Sequence, residues 1–191
     1  EAAKKVDYDR IGERMHVEML YLSYCADKGI DAYVELVKKA ADCGKTLVLD
    51  CTDVEAAKAA LAVCKDAKPV LDGADASNYE AMSAVATEAG VVLGVRGADI
   101  NELYDTTAAL EKLGNKNLVL NVGTASVKDA FATTVQIRRA ALKDQNRTFG
   151  YPSIVNVGAL AAGDPTMQAA LVSLFTVKYG SIIVMEGMDY A

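Results

Sequence analysis

Apolar residues in this chain gather in short runs that recur at a regular interval. The stretch from Asn117 to Ile154 shows the unit: Leu118–Val122 is apolar, Gly123-Thr124 breaks the run, a helical pattern follows, and a second apolar run starts at Pro152. Strand, crossover helix, strand is the reading. A crossover of that length joins parallel strands, with a right-handed connection. Strand-like runs are Met15–Cys25, Thr46–Cys51, Pro69–Leu71, Val91–Val95, Leu118–Val122, Ser153–Val157 and Ser181–Met185. They follow one another at roughly 27 residues, the length of one strand–helix unit. Thr46–Cys51 is apolar until Asp50, as suits a strand buried on both faces.

Helical spacing fills the intervals. Asp31–Cys43 is amphipathic, with Tyr33, Val34, Val37 and Ala41 on one side and Gly44 as terminator. Thr52-Asp53-Val54-Glu55 and Ser77-Asn78-Tyr79-Glu80 read as capping boxes, opening helices that reach Lys65 and Gly90. Asp99 caps a helix to Leu113, Ser126 a long one to Lys143, and Asp164-Pro165 one to Tyr179. Lys4–Glu13 is charged and reads as an entry loop or short helix.

Seven strands with helices between them allow an open doubly wound sheet or a barrel. An open sheet predicts a glycine-rich dinucleotide loop, and Gly94-Val95-Arg96-Gly97 is GxxG without a third glycine. The expected fold is therefore α/β, a (β/α)8 TIM barrel lacking at least one terminal strand, with residues 1–191 as a single partial barrel domain. The chain runs from Glu1 to Ala191, just past an apolar run, and is expected to be an excerpt of a longer polypeptide.

Composition narrows the partners. With 52% apolar and 24% charged residues the chain is that of a folded globular domain. Lys and Arg number 20 against 26 Asp and Glu, without a basic stripe, so nucleic acid is not expected. No apolar run approaches the ~18–20 residues of a membrane span, and no signal-peptide pattern is read, so no membrane partner is expected. Cys25, Cys43, Cys51 and Cys64 form no CxxC pair. They read as free buried thiols in a reducing cytoplasm.

In a barrel, chemistry sits at the C-terminal ends of the strands. Asp50, Cys51, Asp72, Arg96, Asn121, Asn156 and Glu186 fall there. Of these, Asp50, Asp72, Arg96, Asn121 and Asn156 are the candidate ligand-binding residues. Two carboxylates, two amides and a guanidinium could hold a planar heterocycle by paired hydrogen bonds, although solvent alone makes barrel mouths polar. Gly123-Thr124-Ala125-Ser126 precedes a helix and could cradle an anion, as could the other capped helices. His16, the single histidine, falls in a strand without an implied partner, and Arg138-Arg139 reads as a solvated helix face or a subunit contact. No nucleophile elbow, phosphate loop or metal-ligand cluster is present, so no catalytic residue and no metal ligand is assigned.

Several segments together resemble a known family. They are Asp9-Arg10-Ile11-Gly12; Lys68-Pro69-Val70-Leu71; Asn78-Tyr79-Glu80-Ala81-Met82; Asn117–Gly123; Gln136-Ile137-Arg138-Arg139-Ala140-Ala141; Phe149-Gly150-Tyr151-Pro152; and Lys178-Tyr179 with Ser181–Val184. In order and spacing these resemble the central TIM barrel of the large (gamma) subunit of the corrinoid iron–sulfur protein, part of the acetyl-CoA synthase/decarbonylase (CO dehydrogenase) system. The resemblance implies a [4Fe–4S] domain upstream and a corrinoid (cobalamin, cobalt) domain downstream, neither carried by this stretch. It implies a methyl carrier of one-carbon metabolism and carbon fixation, the reductive acetyl-CoA (Wood–Ljungdahl) pathway. The methyl group would come from methyltetrahydrofolate, or methyltetrahydrosarcinapterin, through a methyltransferase, and go to acetyl-CoA synthase. A small (delta) barrel subunit would complete a heterodimer.

By that resemblance this stretch is scaffold and contact surface rather than reacting centre. The sparsely charged helices 124–143 and 166–179 are the expected interface. There is one departure: the family commonly reads Asp-Pro-Gly-Thr where this chain has Asn121-Val122-Gly123-Thr124, which puts in doubt any role needing a negative charge there. Two other readings stay open. One is a stand-alone pterin-dependent methyltransferase gripping its pterin with Asp50, Asp72, Asn121 and Asn156. The other, a phosphate-binding barrel, is disfavoured by the single glycines Gly158 and Gly187.

Overall fold

A computed structural model describes residues 6–187. A hairpin of β1 (Asp7–Arg10) and β2 (Glu13–His16) comes first. Seven strands then form one parallel sheet in chain order: β3 (Met19–Ser23), β4 (Thr46–Asp50), β5 (Val70–Ala74), β6 (Val92–Val95), β7 (Leu118–Asn121), β8 (Ser153–Asn156) and β9 (Ile182–Val184). The intervening helices are α1 (Gly29–Ala41), α2 (Val54–Cys64), α3 (Tyr79–Ala89), α4 (Ile100–Lys112), α5 (Val127–Lys143), a short α6 (Val157–Ala161) and α7 (Pro165–Lys178). Strictly alternating strands and helices with every neighbour parallel is the (β/α) barrel arrangement. β3 and β9 are its two outer strands.

Alternation within the strands builds two apolar layers. Val48, Val70, Val119 and Ile154 point inward and meet Met19, Tyr21, Val92, Ile182 and Val184. Leu47, Leu49, Leu71, Leu93 and Leu120 point outward, where Val37, Ala60, Met82, Leu110 and Phe175 cover them. Leu47, Leu49 and Leu93 are completely buried. Both faces of each strand are thus covered, as the continuous apolar runs require.

Local chemistry sets most helix starts. Asp99 accepts from the N–H groups of Asn101 and Glu102, Ser126 from Asp129, and Asp164 from Thr166 and Met167. Two caps differ from the sequence reading. Asp53, not Thr52, caps α2, accepting from the N–H of Ala56 at 2.8 Å. Ser77 does not cap α3; Asn78 stands at that position and its side chain ties loops together instead. Asn78 accepts from the N–H of Asp75 and donates to the carbonyls of Thr52 and Gly73.

Three further expectations are corrected. Residues 7–16 make the hairpin, not an entry loop or helix, because Ile11-Gly12 turns with both φ angles positive, 52° and 82°. Lys4 and Lys5 lie outside the described residues. Met15 and His16 belong to that hairpin, so the first barrel strand is only Met19–Ser23. Of the thiols, Cys51 and Cys64 are buried but Cys43 is half-buried and Cys25 exposed; all four are free.

A long-range link ties two parts of the helix layer together. Glu111 of α4 accepts from Thr148 Oγ1 and Tyr151 OH, both at 2.9 Å, tying the turn before β8 to α4. Burial, then the hydrogen bond to Glu111, pushes the Tyr151 phenol up to about 12.

Leu93→Ala should cost about 3–4 kcal/mol of unfolding free energy, because a fully buried leucine between sheet and helices leaves a cavity. Urea unfolding monitored by circular dichroism measures it; a loss under about 1 kcal/mol would refute this packing.

Candidate functional site

The strand register sets Asp50 and Asp72 level, with Arg96 and Asn121 two residues further along from the positions paired with them. Ser23 of β3 pairs with Asp50 of β4, Asp50 with Asp72 of β5, and Asp72 with Gly94 of β6. Inward-facing polar residues therefore stack above the apolar inner layer, at the C-terminal end of the barrel. Arg96 lies just past β6, and Asn121 is the last residue of β7.

These side chains bind one another. Arg96 Nη2 sits 2.8 Å from Asp50 Oδ1 and 3.1 Å from Asp72 Oδ2. Asn121 Nδ2 donates to Asp72 Oδ2 at 2.7 Å, and Tyr21 OH donates to the same oxygen at 3.1 Å. Ser23 Oγ donates to Asp50 Oδ2 at 2.9 Å. Asp72 is 0% exposed. Its Oδ2 thus receives two hydrogen bonds and an ion pair, whereas Oδ1 finds no hydrogen-bond partner among the described residues, nor does Arg96 Nε. Oδ1 faces the α-carbon of Gly94, where a Cβ would stand only 2.5 Å away. Glycine at 94 makes the space that Asp72 occupies.

Burial dominates the electrostatics. It raises the Asp72 carboxyl above its ordinary value, against the pull of Arg96 and with the help of Asp50. Burial works against the Arg96 cation, but Asp72 and Asp50 outweigh it and hold the guanidinium charged. Burial, then the two aspartates, drives the Tyr21 phenol well above its usual range. Tyr21 is therefore a donor here and never a base.

Above the network opens a cavity of about 550 Å³. Its walls include Asp75 and Ser77 ahead of α3, Gly97, Ala98 and Glu102 around the start of α4, and Gly123 and Thr124 after β7. Asn156 lines the cavity too, with its Oδ1 capping α6 by accepting from the N–H of Ala159 at 3.0 Å. Asn121 Oδ1 takes up the N–H of Gly123, so the Gly123–Ser126 turn has one donor fewer for an anion.

The remaining candidates lie elsewhere. The Cys51 thiol points away from the mouth to the carbonyl of Asp53, and burial pushes it up to about 11. Glu186 is exposed, with its backbone held by Gln168. His16 stands on the hairpin, 4.0 Å from Glu18. Arg138 donates to the Lys178 carbonyl from an exposed face of α5.

Tyr21 and Ser23 were missed from sequence. Met19, Tyr21 and Ser23 alternate onto the inner face of β3, and only the pairing with β4 sets Ser23 beside Asp50. Among the described residues no group of three or more His, Cys, Asp or Glu could hold a metal ion.

Residues 1–191 match the family model described as CO dehydrogenase/acetyl-CoA synthase delta subunit. The chain belongs to that family. Its similar curated relatives include the corrinoid/iron-sulfur protein large subunit of Moorella thermoacetica, 35% identical over 97% of this chain and 41% of the relative. The acetyl-CoA decarbonylase/synthase complex subunit gamma of Archaeoglobus fulgidus is 30% identical over 86% of this chain and 37% of its own length. The chain thus spans about two fifths of these relatives. In fold, this CO dehydrogenase/acetyl-CoA synthase family barrel is similar to dihydropteroate synthase from Thermus thermophilus. One such structure has a TM-score of 0.66 at 16% identity, covering 89% of this chain and 77% of that one. In this family member the amide of Asn121 can donate to a buried carboxylate, which a carboxylate at 121 could do only by taking up a proton.

Arg96→Met should cost about 3–5 kcal/mol at neutral pH, since it strands two carboxylates. The loss should shrink in acid as they take up protons. An unchanged denaturation midpoint at pH 7 would refute the network. A second outcome concerns Asp72, whose folded-state pKa lies above the 3.8 of the free carboxyl. Its stabilising contribution relative to Asp72→Asn is therefore largest below pH 3.8 and falls as pH rises towards the folded-state value. Parallel unfolding curves from about pH 3.5 upward test this; a pH-independent difference would contradict the burial.

Proposed function

We propose that the chain is the scaffold barrel of a corrinoid iron–sulfur methyl carrier. The whole protein would take a methyl group from methyltetrahydrofolate or methyltetrahydrosarcinapterin through a methyltransferase and deliver it to acetyl-CoA synthase. What carries this reading for the barrel is the closed Arg96–Asp50–Asp72–Asn121 network. The charges that could grip or activate a substrate are consumed by each other.

The iron–sulfur cluster of such a carrier does not fit the described residues, among which no three His, Cys, Asp or Glu could hold a metal ion. A [4Fe–4S] cluster needs four converging thiolates. Here Cys51 and Cys64 are buried, whereas Cys25 is exposed. The cluster and the corrinoid belong, on this reading, to an upstream and a downstream domain of the longer polypeptide. No helix among the described residues is long and apolar enough to cross a membrane. Four free thiols suit a reducing cytoplasm.

The small (delta) barrel subunit is the proposed permanent partner, and the contact narrows to α7. α5 carries Lys128, Asp129, Arg138, Arg139 and Lys143, so it is a poor apolar interface. α7 has no charged residue before Lys178, and Met167, Leu174 and Val177 are exposed along it. A second reading rests on the 550 Å³ cavity, with Asp50 and Asn121 at its base: a stand-alone pterin-dependent methyltransferase.

Calorimetric titration with methyltetrahydrofolate separates the readings. The scaffold reading expects no saturable binding in the micromolar range; micromolar binding abolished by Asn121→Ala would overturn it in favour of the enzyme. Leu174→Asp with Val177→Asp should weaken association with the small subunit at least tenfold, measured by sedimentation. Unchanged association would remove α7 from the interface.

A further inference from the structure

We draw no further inference here: the strongest candidate, the cavity of about 550 Å³ at the barrel mouth above the Arg96–Asp50–Asp72 network, belongs to the site already described.

Discussion

The barrel interior holds one charged interaction on which its upper half depends, the pairing of Arg96 with Asp72 and Asp50. A carboxylate with no solvent contact is costly unless paired and hydrogen-bonded. Here one oxygen of Asp72 accepts from Tyr21 and Asn121 and is ion-paired with Arg96. The other faces the bare α-carbon of Gly94. The arrangement constrains four strands at once, because each donor or gap comes from a different one. β3 supplies Tyr21, β5 Asp72, β6 the gap at Gly94, and β7 Asn121. A slip of one register position would turn each of these side chains to the helix-covered face.

The same interaction shapes what the mouth can do. A guanidinium already held by two carboxylates is a poor receptor for an anionic substrate, and a phenol held as a donor is no base. The network therefore acts as a polar floor beneath an open cavity. This is consistent with a family whose members are subunits of a larger assembly. α7 is left with exposed apolar residues and no charge before Lys178.

The strand–helix repeat was legible because burial on both faces writes continuous apolar runs such as Thr46–Leu49, and because Asp99, Ser126 and Asp164 cap their helices through short-range bonds. Errors arose where long-range contacts override local pattern. Asn78 looked like a residue inside a capping box, but its amide is claimed by loops 26 residues apart in sequence. Met15–Cys25 looked like one strand because apolar content continues across residue 17, while only pairing with β4 shows that it starts at Met19. Ile11 in a left-handed turn is invisible to any preference table, since the preference is against it.

The sequence by itself determined the alternation of strands and helices, the parallel order, the absence of a nucleotide loop, and the identities of the polar residues at the strand ends. These follow from periodicity and local hydrogen bonding, which act over a few residues. Tertiary structure alone decided that Asp50, Asp72, Arg96 and Asn121 meet, that Cys51, Asn156 and Glu186 do not join them, and that Tyr21 and Ser23 do. Those choices depend on strand register and barrel curvature, which bring side chains dozens of residues apart to one end of the barrel and leave their neighbours a half-turn of the pleat away.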